Sequence, residues 1–189
     1  MFSRDADIFF EPLSNNRQSP GIFGVLFLLR RDIFRCMGLD PITKKPINHK
    51  TLWPGTMAIL AGIDLLGKFL AGNDQPRKVG ERFSEYVNKY FQPISSGDEE
   101  VIYQLRNALL HSFGLYSENK GKKYYFFLGQ NLAQFIQVIP EDTYRIDILE
   151  LHRRFEESVC RYQVQLESDA TLQQNFTTMF PKYGAIKIG

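Results

Sequence analysis

The stretch Glu99-Glu100-Val101-Ile102-Tyr103-Gln104-Leu105-Arg106-Asn107-Ala108-Leu109-Leu110-His111-Ser112-Phe113-Gly114 decides how the rest of the chain is organised. Its spacing predicts one amphipathic helix. Ser96 and Asp98 are available to cap the start, Asp98, Glu99 and Glu100 suit the positive end of the helix dipole, and Gly114 is a natural residue to end it. On a wheel of about 100° per residue, Glu100, Tyr103, Gln104 and His111 fall within roughly 60° of Asn107. Val101, Ile102, Leu105, Ala108 and Leu109 occupy the other side. One face is therefore core, and the other is a polar stripe ending in a histidine. Arg106 stands on the flank, about 140° from His111, but its long side chain is able to curl over a turn towards the stripe.

A cation, an amide and an imidazole converging at one helix end suit a phosphodiester. Arginine presents a planar, permanently charged fork to phosphate oxygens. Histidine, with an unperturbed pKa of about 6.5, moves protons in either direction near neutrality. Asparagine orients a hydroxyl or donates to an oxyanion. Against this stands the plainer interpretation of a solvated helix face with a histidine near its C-terminus. Spacing alone does not separate the two.

The string Arg106-Asn107-x-x-x-His111, late on an amphipathic helix in a mostly helical chain, resembles the HEPN superfamily (higher eukaryotes and prokaryotes nucleotide-binding). Its signature is an arginine, a polar residue, a few further residues and a histidine, and many members are metal-independent endoribonucleases. The motif covers six residues; a general helical likeness extends from about Thr56 to Arg161. The resemblance implies a helical bundle that dimerises with two motifs facing one cleft. It further implies attack of an RNA 2′-hydroxyl on the adjacent phosphate, leaving a 2′,3′-cyclic phosphate and a 5′-hydroxyl. His111 is then assigned to proton transfer, Arg106 to the charge on the pentavalent phosphate, and Asn107 to positioning, with no cofactor. The implied partners are RNA, a second copy of the chain and, as for family members that act as toxins, an antitoxin. Some toxins carry a tyrosine two positions after the histidine, where a partner attaches adenylyl groups. Phe113 stands there in this chain, and Tyr116 is out of register. Two other classes remain open: a non-catalytic RNA- or nucleotide-binding protein, and a helical protein-interaction module.

Working outward, the 189 residues are enough for one domain with a sizeable core. The hydrophobic fraction of 43% and charged fraction of 23% are ordinary for a soluble globule. The 16 Phe and 9 Tyr are assigned to core and interface packing. A net charge of +2 does not mark a nucleic-acid binder, so any RNA contact needs a local patch. Lys120, Lys122 and Lys123, just beyond His111 in sequence, are the expected patch, joined by Tyr103 and Gln104 from the polar stripe. Cys36 and Cys160 are too few and too far apart for a disulfide framework or a zinc site, so no metal is indicated and a cytoplasmic location fits. Gly21 to Leu29 is apolar but too short to span a bilayer, and acids rather than bases precede it, so neither a membrane anchor nor a signal peptide is expected.

The fold class expected is mainly α: a helical bundle with a small β-hairpin or three-stranded insertion after the motif helix. A single domain spans 1–189, with 1–55 as an N-terminal helix and loop embellishment, 56–167 as the HEPN-like core, and 168–189 as a short helix and tail. Ser19 and Pro20 suit the start of a first helix closed by Gly38, with Ile22, Phe23, Leu26, Phe27 and Ile33 inward and Arg30, Arg31 and Arg35 as a basic edge. Asp40 to Gly55 reads as a loop in which Lys44, Lys45, His49 and Lys50 are placed to steer an anion, and Trp53 anchors the next helix. Thr56 to Ala71 is a strong helix closed by Gly72. Asp64 interrupts its apolar surface, and Gly62 and Gly67 point to close packing in a bundle or a dimer. A further helix is expected at Lys78–Phe91, stopped by Pro93. Leu115–Glu118 and Lys123–Leu128 form a hairpin around Asn119-Lys120-Gly121, and Phe135–Ile139 adds a strand. Asp142 to Glu167 is expected to be one long helix carrying a rival pair, Arg145 and His152, on one face. Thr171–Phe180 forms a last helix, with Pro181 opening a tail.

Overall fold

The computed structural model describes residues 2–15 and 21–188. In chain order these form α1 (Phe2–Phe9), β1 (Gly21–Gly24), α2 (Val25–Cys36), α3 (Leu52–Ala71), a 3-10 turn (Pro76–Lys78), α4 (Val79–Tyr90) and α5 (Asp98–Ser112). Then follow β2 (Tyr116–Asn119), β3 (Lys122–Gly129), β4 (Ile136–Ile139), β5 (Thr143–Asp147), α6 (Ile148–Ser168), α7 (Ala170–Tyr183) and β6 (Ala185–Ile188). The chain is mainly α with a small β insertion after α5, the class expected from its pattern.

α3 is the hub. Apolar nearly all round, it buries Ile59, Leu60, Ile63, Leu66, Phe69 and Leu70, and α2, α4, α5, α6 and α7 all pack on it. Its two inner glycines let neighbours approach closely. A Cβ on Gly62 would lie 2.6 Å from the Phe155 ring, and one on Gly67 would lie 2.9 Å from the Arg82 carbonyl oxygen. Both glycines therefore serve packing within the chain. α3 is long and apolar enough to cross a membrane, yet 56% of its most apolar window is buried inside the fold. One core cluster runs from Phe9 to Met179, so α1 and α7 share it with the central helices. Phe9, Phe69 and Phe176 form its aromatic junction, with ring centroids 4.5–5.4 Å apart.

The N-terminal part departs from expectation. Ser19 and Pro20, the expected helix start, lie outside the described residues. Gly21–Gly24 is a strand rather than the first turn of a helix, and the helix begins at Val25. The reason is long-range: β1 pairs antiparallel with β6, Gly21 opposite Ile188 and Gly24 opposite Ala185. Ile22 consequently faces outward, while Phe23, Leu26, Phe27 and Ile33 are buried. The basic edge is largely neutralised, Arg30 by Glu156 at 2.6 Å and Arg31 by Asp32 at 2.9 Å. α3 starts at Leu52, inside the expected loop. Pro54 is tolerated there because N–H groups of the first turn have no intrahelical acceptor in any case. Trp53, the expected anchor, is exposed on that turn.

The β region holds the largest correction. Thr143–Asp147 is a strand, not the first turns of the long helix, and it pairs in parallel with β3. The sheet is thus four-stranded, in the order β2-β3-β5-β4, with β4 antiparallel on the far side of β5. Asp147 ends β5 and caps α6, its carboxylate accepting from the Leu149 and Glu150 N–H groups at 2.9 and 3.0 Å. At the C-terminus α7 runs through Pro181 to Tyr183, and the expected tail is β6.

Candidate active site

α5 carries the polar cluster. Asp98, Glu99 and Glu100 fill its first turn, but neither Ser96 nor Asp98 caps it: Gly97 is the N-cap, in the left-handed conformation, and no side chain satisfies the end. Asp98 instead accepts from the Ser95 N–H, and Glu99 from the Gly97 N–H. At the other end the left-handed residue is Phe113 (φ 47°), not Gly114. The Gly114 N–H closes back on the Ala108 carbonyl at 3.1 Å, which leaves the final turn tight and the Phe113 ring exposed.

Arg106, Asn107 and His111 meet at this end. The guanidinium is gripped from one side by Asp64 of α3: Nε and Nη2 donate to Oδ2 at 2.7 and 2.6 Å. Its remaining edge is thereby turned along α5. Nη1 donates to Asn107 Oδ1 at 3.2 Å and touches His111 Nε2. A guanidinium nitrogen only donates, so Nε2 is the accepting atom of this contact. The Arg106 and Asp64 side chains are 12% and 17% exposed, whereas His111 is open to solvent. Burial pushes the Asp64 carboxyl up, and the facing Arg106 pulls back against it. The carboxylate that interrupts the apolar surface of α3 is thus partnered by the motif arginine itself.

The expected RNA contacts fare differently. Gln104 is buried, its amide donating to Glu100 at 2.9 Å and its oxygen accepting from Ser117 at 2.6 Å. Tyr103 packs on Phe83, with its ring against Gly80. Neither is a free contact surface, because the returning hairpin covers Gln104 and α4 covers Tyr103. The hairpin also moves the lysines. Ser117 meets Gln104 and Asn119 donates to Glu100, so β2 runs back towards the start of α5. Lys120 at the tip therefore lies near Glu100, eleven residues or about 16 Å of helix from His111. Lys122 is held over the Tyr124 and Tyr144 rings, and Lys123 stands opposite Glu118. These lysines do not form a patch beside the histidine.

The rival pair is dissolved. Arg145 lies on β5 and His152 on α6, where the imidazole is buried against Phe34 with Nε2 unpartnered. Burial lowers its pKa, Glu156 opposing and Lys44 and Arg30 assisting. Of the loop cations, Lys44 sits over the Phe34 ring and donates to the Pro41 carbonyl. Cys36 and Cys160 are free thiols, and no metal-holding cluster occurs among the described residues. No family model matches the chain, and no curated protein or solved structure is detectably similar to it.

Proposed function

We propose that the chain is a HEPN-like, metal-independent endoribonuclease acting through Arg106, Asn107 and His111. The observation that carries this is the arrangement at the end of α5: one arginine, anchored by a carboxylate behind it, edge-on to the accepting nitrogen of a solvent-exposed histidine. Asp64 holds the guanidinium in place without engaging Nη1, the nitrogen nearest the histidine.

A phosphodiester entering between them takes Nη1 onto a non-bridging oxygen and frees His111 Nε2. That nitrogen then accepts the 2′-hydroxyl proton as the 2′-oxygen bonds to phosphorus. The P–O5′ bond breaks, the 5′-oxygen takes a proton, and the products are a 2′,3′-cyclic phosphate and a 5′-hydroxyl. Arg106 offsets the extra charge on the pentavalent phosphate, and Asn107 helps to orient the sugar or phosphate. A second copy across a two-fold axis would bring a second histidine to the same cleft, one serving as base and the other as acid. An RNA-cleaving toxin of this kind would require an antitoxin to restrain it.

One observation favours a non-catalytic alternative: Arg106 is nearly fully hydrogen-bonded, as a purely structural arginine would be. Cleavage of end-labelled RNA in EDTA separates the two. Wild type is expected to leave cyclic-phosphate ends, DNA to survive, and His111→Ala, with fold and oligomeric size checked, to be inert. Wild type silent across several RNAs, or His111→Ala cutting equally well, would remove the ribonuclease assignment.

A further inference from the structure

The four-stranded sheet has two unlike faces. Tyr124, Phe126, Tyr144 and Ile146 point inward and are buried. Strict alternation sends Tyr116, Tyr125 and Phe127 outward, 40%, 43% and 57% exposed, and Phe113 on the connection from α5 is 73% exposed. Most of the chain's aromatics are core, as composition suggests; these four are not. Tyr116 and Tyr125 are cross-strand partners with ring centroids 5.1 Å apart. Phe127 stands level with Arg145 of the neighbouring β5, and Gln137 of β4 continues that row. Arg145 is exposed, and no described residue forms an ion pair with it.

Charge is segregated along the strands. Towards the hairpin tip, Glu118 stands opposite Lys123 and accepts from the Tyr116 hydroxyl at 2.7 Å, and Glu141 and Asp142 line a hollow with Tyr125 and Phe127. Towards the other end the Phe126 N–H donates to the Leu115 carbonyl at 2.9 Å, which sets Phe127 and Arg145 beside the exit from α5. There the outward positions Phe127, Arg145 and Gln137 form a row without a carboxylate. Flat rings beside an unpaired guanidinium complement bases joined by phosphates, and arginine is the side chain best suited to that backbone.

We propose that this half of the sheet binds single-stranded RNA, stacking bases on Tyr116, Tyr125 and Phe127 and holding the backbone with Arg145. Stacking uses the face of a base whatever its identity, so the surface is tolerant of sequence. A duplex hides those faces and is excluded. Five residue steps separate His111 from Tyr116, at most about 17 Å of chain, so RNA on the sheet runs on to the end of α5. The inference rests on the ribonuclease assignment only for what happens to the strand there.

The test is fluorescence anisotropy with a labelled 2′-O-methyl oligouridine dodecamer, which has no 2′-hydroxyl to attack, alongside cleavage of the dinucleotide UpA. Tyr125→Ala and Phe127→Ala are each expected to weaken dodecamer binding roughly ten-fold, Tyr125→Phe to retain it, and a duplex of equal length not to compete. UpA, too short to reach the sheet, should be cut equally by wild type and by these variants. Wild type that cuts UpA yet fails to bind the dodecamer, or variants that bind like wild type, would overturn the sheet proposal and leave the ribonuclease assignment standing. Dodecamer binding lost in the variants, with no RNA cut by wild type, would sustain the sheet and overturn the assignment. Variants that change sedimentation from dimer to monomer while binding RNA undiminished would give the face to a second copy of the chain instead.

Discussion

Asp64 is the residue on which the cluster depends. Its carboxylate takes two N–H groups of a guanidinium that is only 12% exposed. Asp64→Ala leaves that charge buried and unpaired, which costs about 3 kcal/mol, and lets Arg106 leave His111. A lower denaturant midpoint with unchanged slope, together with loss of RNA cleavage, is the expected outcome. Asp64→Asn keeps an acceptor and should lose less of both. His152 makes a second residue-scale prediction. It is neutral in the fold because burial lowers its pKa, and the unfolded chain protonates it near the ordinary value of about 6.5. As pH falls from there towards the depressed native value, the unfolded state binds a proton that the native state refuses, and stability drains away. Melting curves at about pH 7.5 and about pH 5 should show a larger fall in Tm for wild type than for His152→Leu. Equal falls would mean that other groups set the acid limb.

Among the elements, α3 and α4 meet where Gly67 faces the Arg82 backbone. Alanine would raise helix propensity by about 1 kcal/mol at an ordinary site. Here its methyl group would sit 2.9 Å from a carbonyl oxygen that cannot swing aside. Gly67→Ala is therefore expected to destabilise by about 2 kcal/mol, seen as a lower Tm, and a rise in Tm would show that the contact yields. The elements also differ in how openly the sequence announces them. α5 was legible because periodicity and an acidic start agree over fifteen residues, although its left-handed end falls at Phe113 rather than Gly114. Thr143–Asp147 was not, since five alternating residues followed directly by a helical period read as one helix. Only the parallel pairing with Phe127 and its neighbours decides otherwise. Asp147, three residues before Glu150, was the available local clue to where α6 begins. In the cluster, the arginine, amide and histidine were legible as a motif. Their anchor on α3 was legible only as a carboxylate in an apolar helix. The lysines were misplaced because adjacency in sequence says nothing about which way a hairpin folds back.

For the whole molecule, the chief consequence is that Arg106 and His111 meet within one chain. If a dimer forms the working cleft, each subunit still brings a complete pair. Mixing Arg106→Ala protein with His111→Ala protein, under conditions that exchange subunits, should therefore not restore cleavage. Recovery of activity in the mixture would show that arginine from one subunit works with histidine from the other. Size-exclusion of the mixed species with one tagged partner checks that exchange has occurred.

The pairing of β1 with β6 also sets a schedule. Gly21 finds its partner at Ile188, 167 positions later. At roughly 5–20 residues per second of synthesis, the first strand waits some 8 to 33 seconds for the last. Through that interval Phe9 and Phe69 lack the Phe176 ring that covers them in the finished fold. A growing chain thus displays an open aromatic surface until its final helix emerges, and that is the kind of surface a ribosome-associated chaperone would shelter.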